Sequence, residues 1–408
     1  MMRVLVLSDC PFIPNSLGKI VRYITAGFMD AGHEVINVCP AAYTTLDRRC
    51  VEYRWREYVF KCCPWSGSLK YYVDTFRPDT IFLFGTPYSP PLNEALQECY
   101  ENRWHCVGYF DNESIWLIPE YGLHAANVVA FAAPTGFTLS TFIHSLTASG
   151  ISYKVLEERT KIIYHGVDPD MYRGGERLLP WDKLVYGFFG KNHIRKNLGV
   201  LIDAYAQACI TDKRFMEDTA LYLAYIGFAG DNTWNIDLLL SLARLQYGID
   251  ISHNLYTLID HEIRVGVPES SVAKIYKSID VFVFPSEGEA FGLPPIEYLA
   301  GGEGPVIVSR HPALKEIWHD VLDVPLEFLV DGWDYAVGDA LVLFHPDPKH
   351  LSEIMLRLYY EPDTRRALRE KQEGALDYFT VRRMVSEMNG FLEESMNYRE
   401  PLSLAGKQ

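Results

Sequence analysis

The run SEGEAFGLPPIEYLAGG, Ser286 to Gly302, follows directly on the apolar stretch VFVFP and decides how the whole chain is read. It packs three glutamates, four glycines and a Pro-Pro pair into one segment. Pro294 and Pro295 cannot continue a strand but suit the first positions of a helix. That places Glu289 in a loop and Glu297 in the first helical turn. Between them Phe291, Gly292 and Leu293 offer backbone N–H groups, and Gly292 lets a ligand approach closely. Loop amides at the positive end of a helix dipole suit a phosphate. Carboxylates suit hydroxyls, because one carboxylate can accept both hydrogen bonds of a vicinal diol. A nucleotide sugar presents phosphates and hydroxyls together, so one glutamate would hold a sugar ring and the other a ribose. Glu287 and Glu303 take no role in this reading.

Outward from that run the pattern is strand, helix, strand. LVYGFFGK (184–191), ALYLAYIG (220–227), a segment near 255–259 and VFVFP read as strands, with helices over 197–209, 235–248 and 269–279. The first half has its own series: RVLVLSD, VINVCP, TIFLFG (80–85), HCVGYF (105–110), NVVAFAA (127–133) and TKIIYHG (160–166). Buried parallel strands show as such continuous apolar runs. The expectation is α/β, with two Rossmann-like doubly wound domains facing across a cleft and ligands at the carboxyl ends of the strands. Residues 1–168 form the first domain and 169–385 the second, with a seam near 168–183. Residues 386–408 form a helix end and tail that packs back on the first domain. A chain of 408 residues accommodates two such cores.

Strand, Glu-x-Phe-Gly-Leu-Pro-x-x-Glu, helix and GGEGPVIVS (301–309) together resemble the signature of retaining glycosyltransferases of the GT-B architecture, most closely glycosyltransferase family 4. The family's Glu-x7-Glu motif falls on Glu289 and Glu297. KIIYHGVDPDMY (161–172), GFFGKNHIRKNLGVLIDAYA (187–206) and VAKIYKSIDVFVFPS (272–286) resemble further family segments in the same order. The resemblance covers about 160–320 well and the first half weakly. It implies that a basic pair after the first strand of the second domain holds the donor diphosphate. Lys196 falls on the family's lysine. The family's arginine falls on Lys191, which keeps the charge but loses the bidentate fork, so Arg195 is placed to share that role.

The implied activity is transfer of a hexose, with retention, from a nucleoside-diphosphate sugar of UDP or GDP type to an acceptor hydroxyl. Fixed cations and amides would stabilise the departing diphosphate, so neither metal nor cofactor is expected. Asp168 and Asp170 mimic an Asp-x-Asp metal motif but lie in the interdomain segment. The acceptor side matches poorly. Gly18 is the one glycine in CPFIPNSLGK (10–19), where the family has a Gly-Gly loop, and GYFDNESIW (108–116) offers Asp111 and Glu113 in place of the family's histidine. Asp111 is the candidate acceptor-side catalyst, while His165 reads as packing. A glycan, a lipid, a protein or a small molecule could be the acceptor. Two alternatives stay open: a catalytically weakened sugar-nucleotide-binding subunit, or another GT-B enzyme such as an epimerase. Base selection falls to loops around 227–265.

Composition bounds the rest. A formal charge of −15 argues against a nucleic-acid surface. No apolar run approaches the roughly 20 residues of a membrane span, and the first half shows no strongly basic amphipathic helix, so membrane association has no support. The N-terminus reads as a first buried strand, which makes the cytoplasm the expected location. Eight cysteines without a C-x-x-C pair are expected to be reduced, buried thiols.

Overall fold

The computed structural model describes residues 1–40, 49–178, 182–226, 233–260, 267–337 and 341–405. Two compact units result: Met1–Gly166 together with Phe379–Gln408, and Val167–Tyr378. The boundaries expected at 168 and 385 thus fall at 166/167 and 378/379.

The strands of the first unit are β1 (Arg3–Leu7), β2 (Glu34–Cys39), β3 (Val51–Trp55), β4 (Tyr58–Pro64), β5 (Thr80–Gly85), β6 (Cys106–Phe110), β7 (Ala130–Ala133) and β8 (Thr160–Ile162). They lie in the order β3-β4-β2-β1-β5-β6-β7-β8. Every neighbouring pair is parallel except β3 with β4. β5 and β6 are buried along their whole length, as a sheet covered on both faces requires. The antiparallel β3–β4 pair was not read from the sequence. Its strands mix exposed and covered residues, and the covered Tyr53 and Trp55 rings both stack against Phe60.

The last long helix, Val381–Ser395, completes this unit. It packs on the helix Ser16–Asp30, where the Asn389 side chain donates to the Gly27 carbonyl at 3.1 Å. His105 Nε2 lies 3.0 Å from the Ser395 carbonyl. His165 is buried against Tyr109 and Phe84. Burial alone holds its ring neutral down to about pH 3.

The strands of the second unit are β9 (Leu184–Lys191), β10 (Thr219–Ile226), β11 (Leu255–Asp260), β12 (Val281–Phe284), β13 (Val306–Ser309) and β14 (Leu329–Val330). They form a wholly parallel sheet in the order β11-β10-β9-β12-β13-β14. Counted from β9, this is the 3-2-1-4-5-6 order of dinucleotide-binding sheets. A separate antiparallel pair, β15 (Gly332–Val337) and β16 (Leu341–Pro346), follows, also unread from the sequence.

The cysteines depart from expectation. Cys10–Cys39, Cys50–Cys63 and Cys99–Cys106 are disulfides, all in the first unit, and Cys62 and Cys209 are free and buried. Strand pairing explains one of them: β3 sets Val51 opposite Cys62, so the next position back sets Cys50 opposite Cys63. Such partners cannot be deduced from spacing. Protein isolated anaerobically and then denatured is expected to titrate two thiols before reduction and eight after. Eight before reduction would show the pairs to be open in the cell. Among the described residues no helix is long and apolar enough to cross a membrane.

Candidate functional site

In the second unit the strand order runs outward in both directions from between β9 and β12. Ligands of such sheets bind beyond the carboxyl ends of the strands at that reversal. Two loops meet there, one leaving β9 at Lys191 and one leaving β12 at Pro285.

The β9 loop carries the cations and is pinned from two sides. Asn192 and Trp234 exchange side-chain and backbone hydrogen bonds at 2.9 and 3.0 Å, and the Trp234 indole N–H donates to the Ile194 carbonyl at 2.8 Å. At its far end Asn197 stands in the left-handed region with φ 51°. Its side-chain oxygen caps the helix Leu198–Thr211 by accepting from Val200 N at 3.0 Å. Lys191 is exposed at the end of β9, Arg195 is half-buried, and Lys196 is buried with its ammonium 4.7 Å from the centre of the Phe284 ring. His193 adds no charge to this cluster. Burial, then the neighbouring Arg195, Lys191 and Lys196 charges, bring its pKa down to about 4.

The β12 loop brings the carboxylates. Glu289 is buried, and Lys196 Nζ, Arg195 Nη1 at 3.1 Å and Ser286 Oγ at 2.6 Å all donate to its Oε1. Oε2 takes none of these bonds. Burial alone would raise the Glu289 carboxyl pKa, but the Lys196 and Arg195 charges and the bonds from Lys196 and Ser286 hold it at about 2. Arg195 Nη1 also donates to the Gly288 carbonyl at 2.7 Å, tying the two loops together.

Gly292 follows with φ 90°, a conformation that favours glycine, and a Cβ there would meet Leu314 Cδ2 at 2.7 Å. The helix Leu293–Gly301 starts immediately after, with Pro294 and Pro295 contributing no N–H. Phe291 and Leu293 are buried beside it. Glu297, expected in the first turn, is the fifth helical residue, because the helix begins at Leu293. It is buried and accepts from the Tyr276 hydroxyl at 3.1 Å.

Glu287 was given no role and turns out to be buried and fully engaged. Its Oε1 accepts from Asn197 Nδ2 at 2.7 Å and from His345 Nδ1 at 2.8 Å, and its Oε2 from the Tyr335 hydroxyl at 2.8 Å. The partners come from the β9 loop and from both strands of the β15–β16 pair. Glu303, by contrast, pairs with Lys277 at the surface.

A cavity of about 280 Å³ opens at the carboxyl ends of β9, β10 and β11, lined by Phe189, Ala224, Tyr225, Leu258, Val267 and Pro268 among others. Of the base-selecting loops expected around 227–265, residues 227–232 and 261–265 lie outside the described residues.

Residues 176–373 match the family model described as glycosyl transferases group 1. The match to group 1 glycosyltransferases runs through nearly all of the second unit. A curated relative, D-inositol 3-phosphate glycosyltransferase 1 of Catenulispora acidiphila, is 27% identical over 236 residues, which is 55% of this chain. The match spans about half of that relative, 49% of its length. Among solved structures, the E. coli structure described as trehalose-6-phosphate bound with UDP-2-fluoro glucose superposes with TM-score 0.70 at 12% identity, covering 97% of this chain and 99% of that one. A trehalose-6-phosphate synthase studied with bisubstrate glycomimetics, for glycosyl transfer with retention, also gives TM-score 0.70 at 12% identity, over 96% and 99% of the two chains. The fold is therefore that of the GT-B glycosyltransferases, and the second unit carries all of the basic and Glu-motif residues singled out from the sequence.

Gly18, Asp111 and Glu113 belong to the first unit. Gly18 is the third residue of the helix Ser16–Asp30; its N–H donates to the Asn15 cap at 2.7 Å, and a Cβ there would lie 2.2 Å from the Ile13 carbonyl oxygen. That close return of the β1 loop accounts for the glycine without a ligand. Asp111 follows β6, and its Oδ1 accepts from Thr86 Oγ1 at 2.7 Å. Glu113 is half-buried two residues on. The intervening Asn112 is buried, with its amide donating to the Ser114 carbonyl and to Thr141 Oγ1. In the second unit Asp168 caps the turn at Asp170, while Asp170 pairs with Arg173 at 2.6 Å. The supposed metal motif is thus occupied in a local turn. Ser286 and Asn197 went unremarked in sequence, and Glu287 was named there without a role. The Asn following the basic pair, in RKN, was the one available signal, since asparagine tolerates a left-handed cap.

Proposed function

We propose that the chain transfers a hexose from a nucleoside-diphosphate sugar to an acceptor hydroxyl with retention and without a metal. The observation that carries this reading is the convergence of Lys196, Arg195 and Ser286 on one oxygen of Glu289 at the strand-order reversal, which leaves Oε2 for a ligand. In this reading the diphosphate takes Lys196, Arg195 and Lys191 as partners, with the N–H groups of Phe291, Gly292 and Leu293. Glu289 accepts from sugar hydroxyls, Glu297 accepts from the ribose, and the apolar cavity at β9 to β11 takes the base. The bond from the anomeric carbon to the distal phosphate breaks while the acceptor oxygen bonds that carbon on the same face. The acceptor proton passes to the departing phosphate oxygen. Lys196 and Arg195 meet the growing charge, which removes the need for a divalent cation.

On the acceptor side Asp111 orients the acceptor, with Glu113 two residues on and Gly18 at the start of the helix Ser16–Asp30. A UDP-type donor draws support from the E. coli neighbour with UDP-2-fluoro glucose, and retention from the synthase studied for it. The cytoplasmic location expected from the sequence stands against the three disulfides, and the thiol titration decides between them: eight thiols before reduction would support that location and two would overturn it, since a reducing cytoplasm keeps thiols free.

Radiolabelled UDP-, GDP- and ADP-sugars incubated without acceptor test the reading. One of them is expected to release nucleotide slowly. Tight binding with no turnover under any acceptor condition would mark a binding subunit instead, and no binding at all would remove the nucleotide-sugar site.

A further inference from the structure

We propose that Glu287 is a positioning residue: braced by Tyr335 and His345 of the β15–β16 pair, it sets the loop that presents Arg195 and Lys196 to the donor diphosphate. The inference rests on the donor reading above and concerns a residue outside the Glu-x7-Glu motif.

Every polar group of Glu287 is spent on holding neighbours. Its N–H donates to the Arg195 carbonyl at 2.7 Å, and its own carbonyl accepts from Phe344 N at 2.9 Å. Its two carboxyl oxygens take Asn197, His345 and Tyr335. Glu289, two residues on, differs in kind, because its donors crowd onto Oε1 and spare Oε2. One glutamate of the loop is committed to the fold and the other is left facing a ligand.

The bond to Asn197 matters most. Asn197 directly follows Lys196 and holds φ at 51°, a left-handed conformation that asparagine tolerates better than other residues with a Cβ and that its side-chain bonds help to hold. Its side-chain oxygen is fixed by the helix cap and its amide N–H by Glu287, so both ends of the side chain are anchored. Without Glu287 the amide loses that partner, the backbone at Asn197 relaxes, and Lys196 and Arg195 move relative to Glu289. A carboxyl buried only for packing would be replaceable by an apolar side chain at little loss. Here it joins three stretches of chain, and one of them bears the cations.

Calorimetry on the full chain separates the roles. The tightest-binding of UDP, GDP and ADP is titrated against the matching monophosphate, for wild type, Glu287→Ala, Glu287→Gln and Tyr335→Phe. Glu287→Ala is expected to lose about tenfold in diphosphate affinity, the order of a hydrogen bond to a charged group, while monophosphate affinity stays within about twofold. Glu287→Gln keeps a carbonyl oxygen for Asn197 and is expected to recover most of the loss. Tyr335→Phe removes one bracing bond and is expected to lose about threefold for the diphosphate alone; it carries the test if Glu287→Ala does not fold. Equal losses for both nucleotides, or none for the diphosphate, would overturn the proposal and leave the donor reading standing. Wild-type protein that binds no nucleoside diphosphate would overturn both.

Discussion

Lys196→Ala is expected to lower turnover by about 100-fold or more at saturating donor, the scale for losing one fixed donor to developing charge. Lys196 is buried, so its ammonium is not shielded by bulk water, and it lies at the Glu289 oxygen that Arg195 and Ser286 also serve. In the proposed reaction the diphosphate replaces that carboxylate as its partner, and the charge on the phosphate grows as the glycosidic bond breaks. The loss should therefore appear in kcat more than in KM. Lys196→Arg keeps the charge on a longer, planar head and should restore part of the rate. An unchanged kcat in Lys196→Ala would take Lys196 out of the mechanism.

Glu289→Gln is expected to produce the largest stability change, about 3 kcal/mol at neutral pH, because two cations lose the carboxylate they share in a buried place. The same group gives the change a pH signature. Its carboxyl titrates at about 2 in the folded chain against its usual 4.5, so the ionised form stabilises the fold. That contribution is present in full above pH 4.5 and is lost as pH falls through about 2. Glutamine has no such titration. His193 and His165, held neutral to about pH 4 and 3 against a usual 6.5, destabilise both proteins as pH falls from 6.5, and below about pH 4 His193 does so slightly more in the variant, which lacks the Glu289 charge that raises its pKa. The quantity to follow is thus the difference between the two proteins. Urea midpoints at pH 7, 4.5 and 3 should show a gap that holds from 7 to 4.5 and narrows at 3. A gap independent of pH would mean that Glu289 is not the ionised partner of Lys196 and Arg195. Turnover of the variant should fall as well, since the sugar hydroxyls lose a charged acceptor.

Parallel strands were legible because they are buried on both faces. TIFLFG and LVYGFFGK are continuous apolar runs, and they coincide with β5 and β9. The Glu motif and the basic residues Arg195 and Lys196 were legible because their chemistry is local, within a few residues of a strand end. The two antiparallel pairs were not, since their strands mix exposed and covered residues without a regular pattern over short spans. Glu287 was illegible for a different reason: Tyr335 and His345 lie 48 and 58 residues away, and nothing near position 287 announces them. The disulfides share that difficulty, because only the register of β3 against β4 places Cys50 beside Cys63. Gly18 was read by analogy with the family's Gly-Gly loop, and the Ile13 carbonyl beside it supplies a local reason for a residue without a Cβ.

The return of the chain into its first unit at Phe379 bears on synthesis. The Val167–Tyr378 unit is continuous and is fully made while the helix Val381–Ser395 has yet to leave the ribosome. Domains fold as units during elongation, so the second unit can complete its core first. The N-terminal sheet must wait with the helix Ser16–Asp30 lacking its partner. A released chain that stops just short of Phe379 should therefore carry a protease-resistant second unit beside a first unit that is still readily cut.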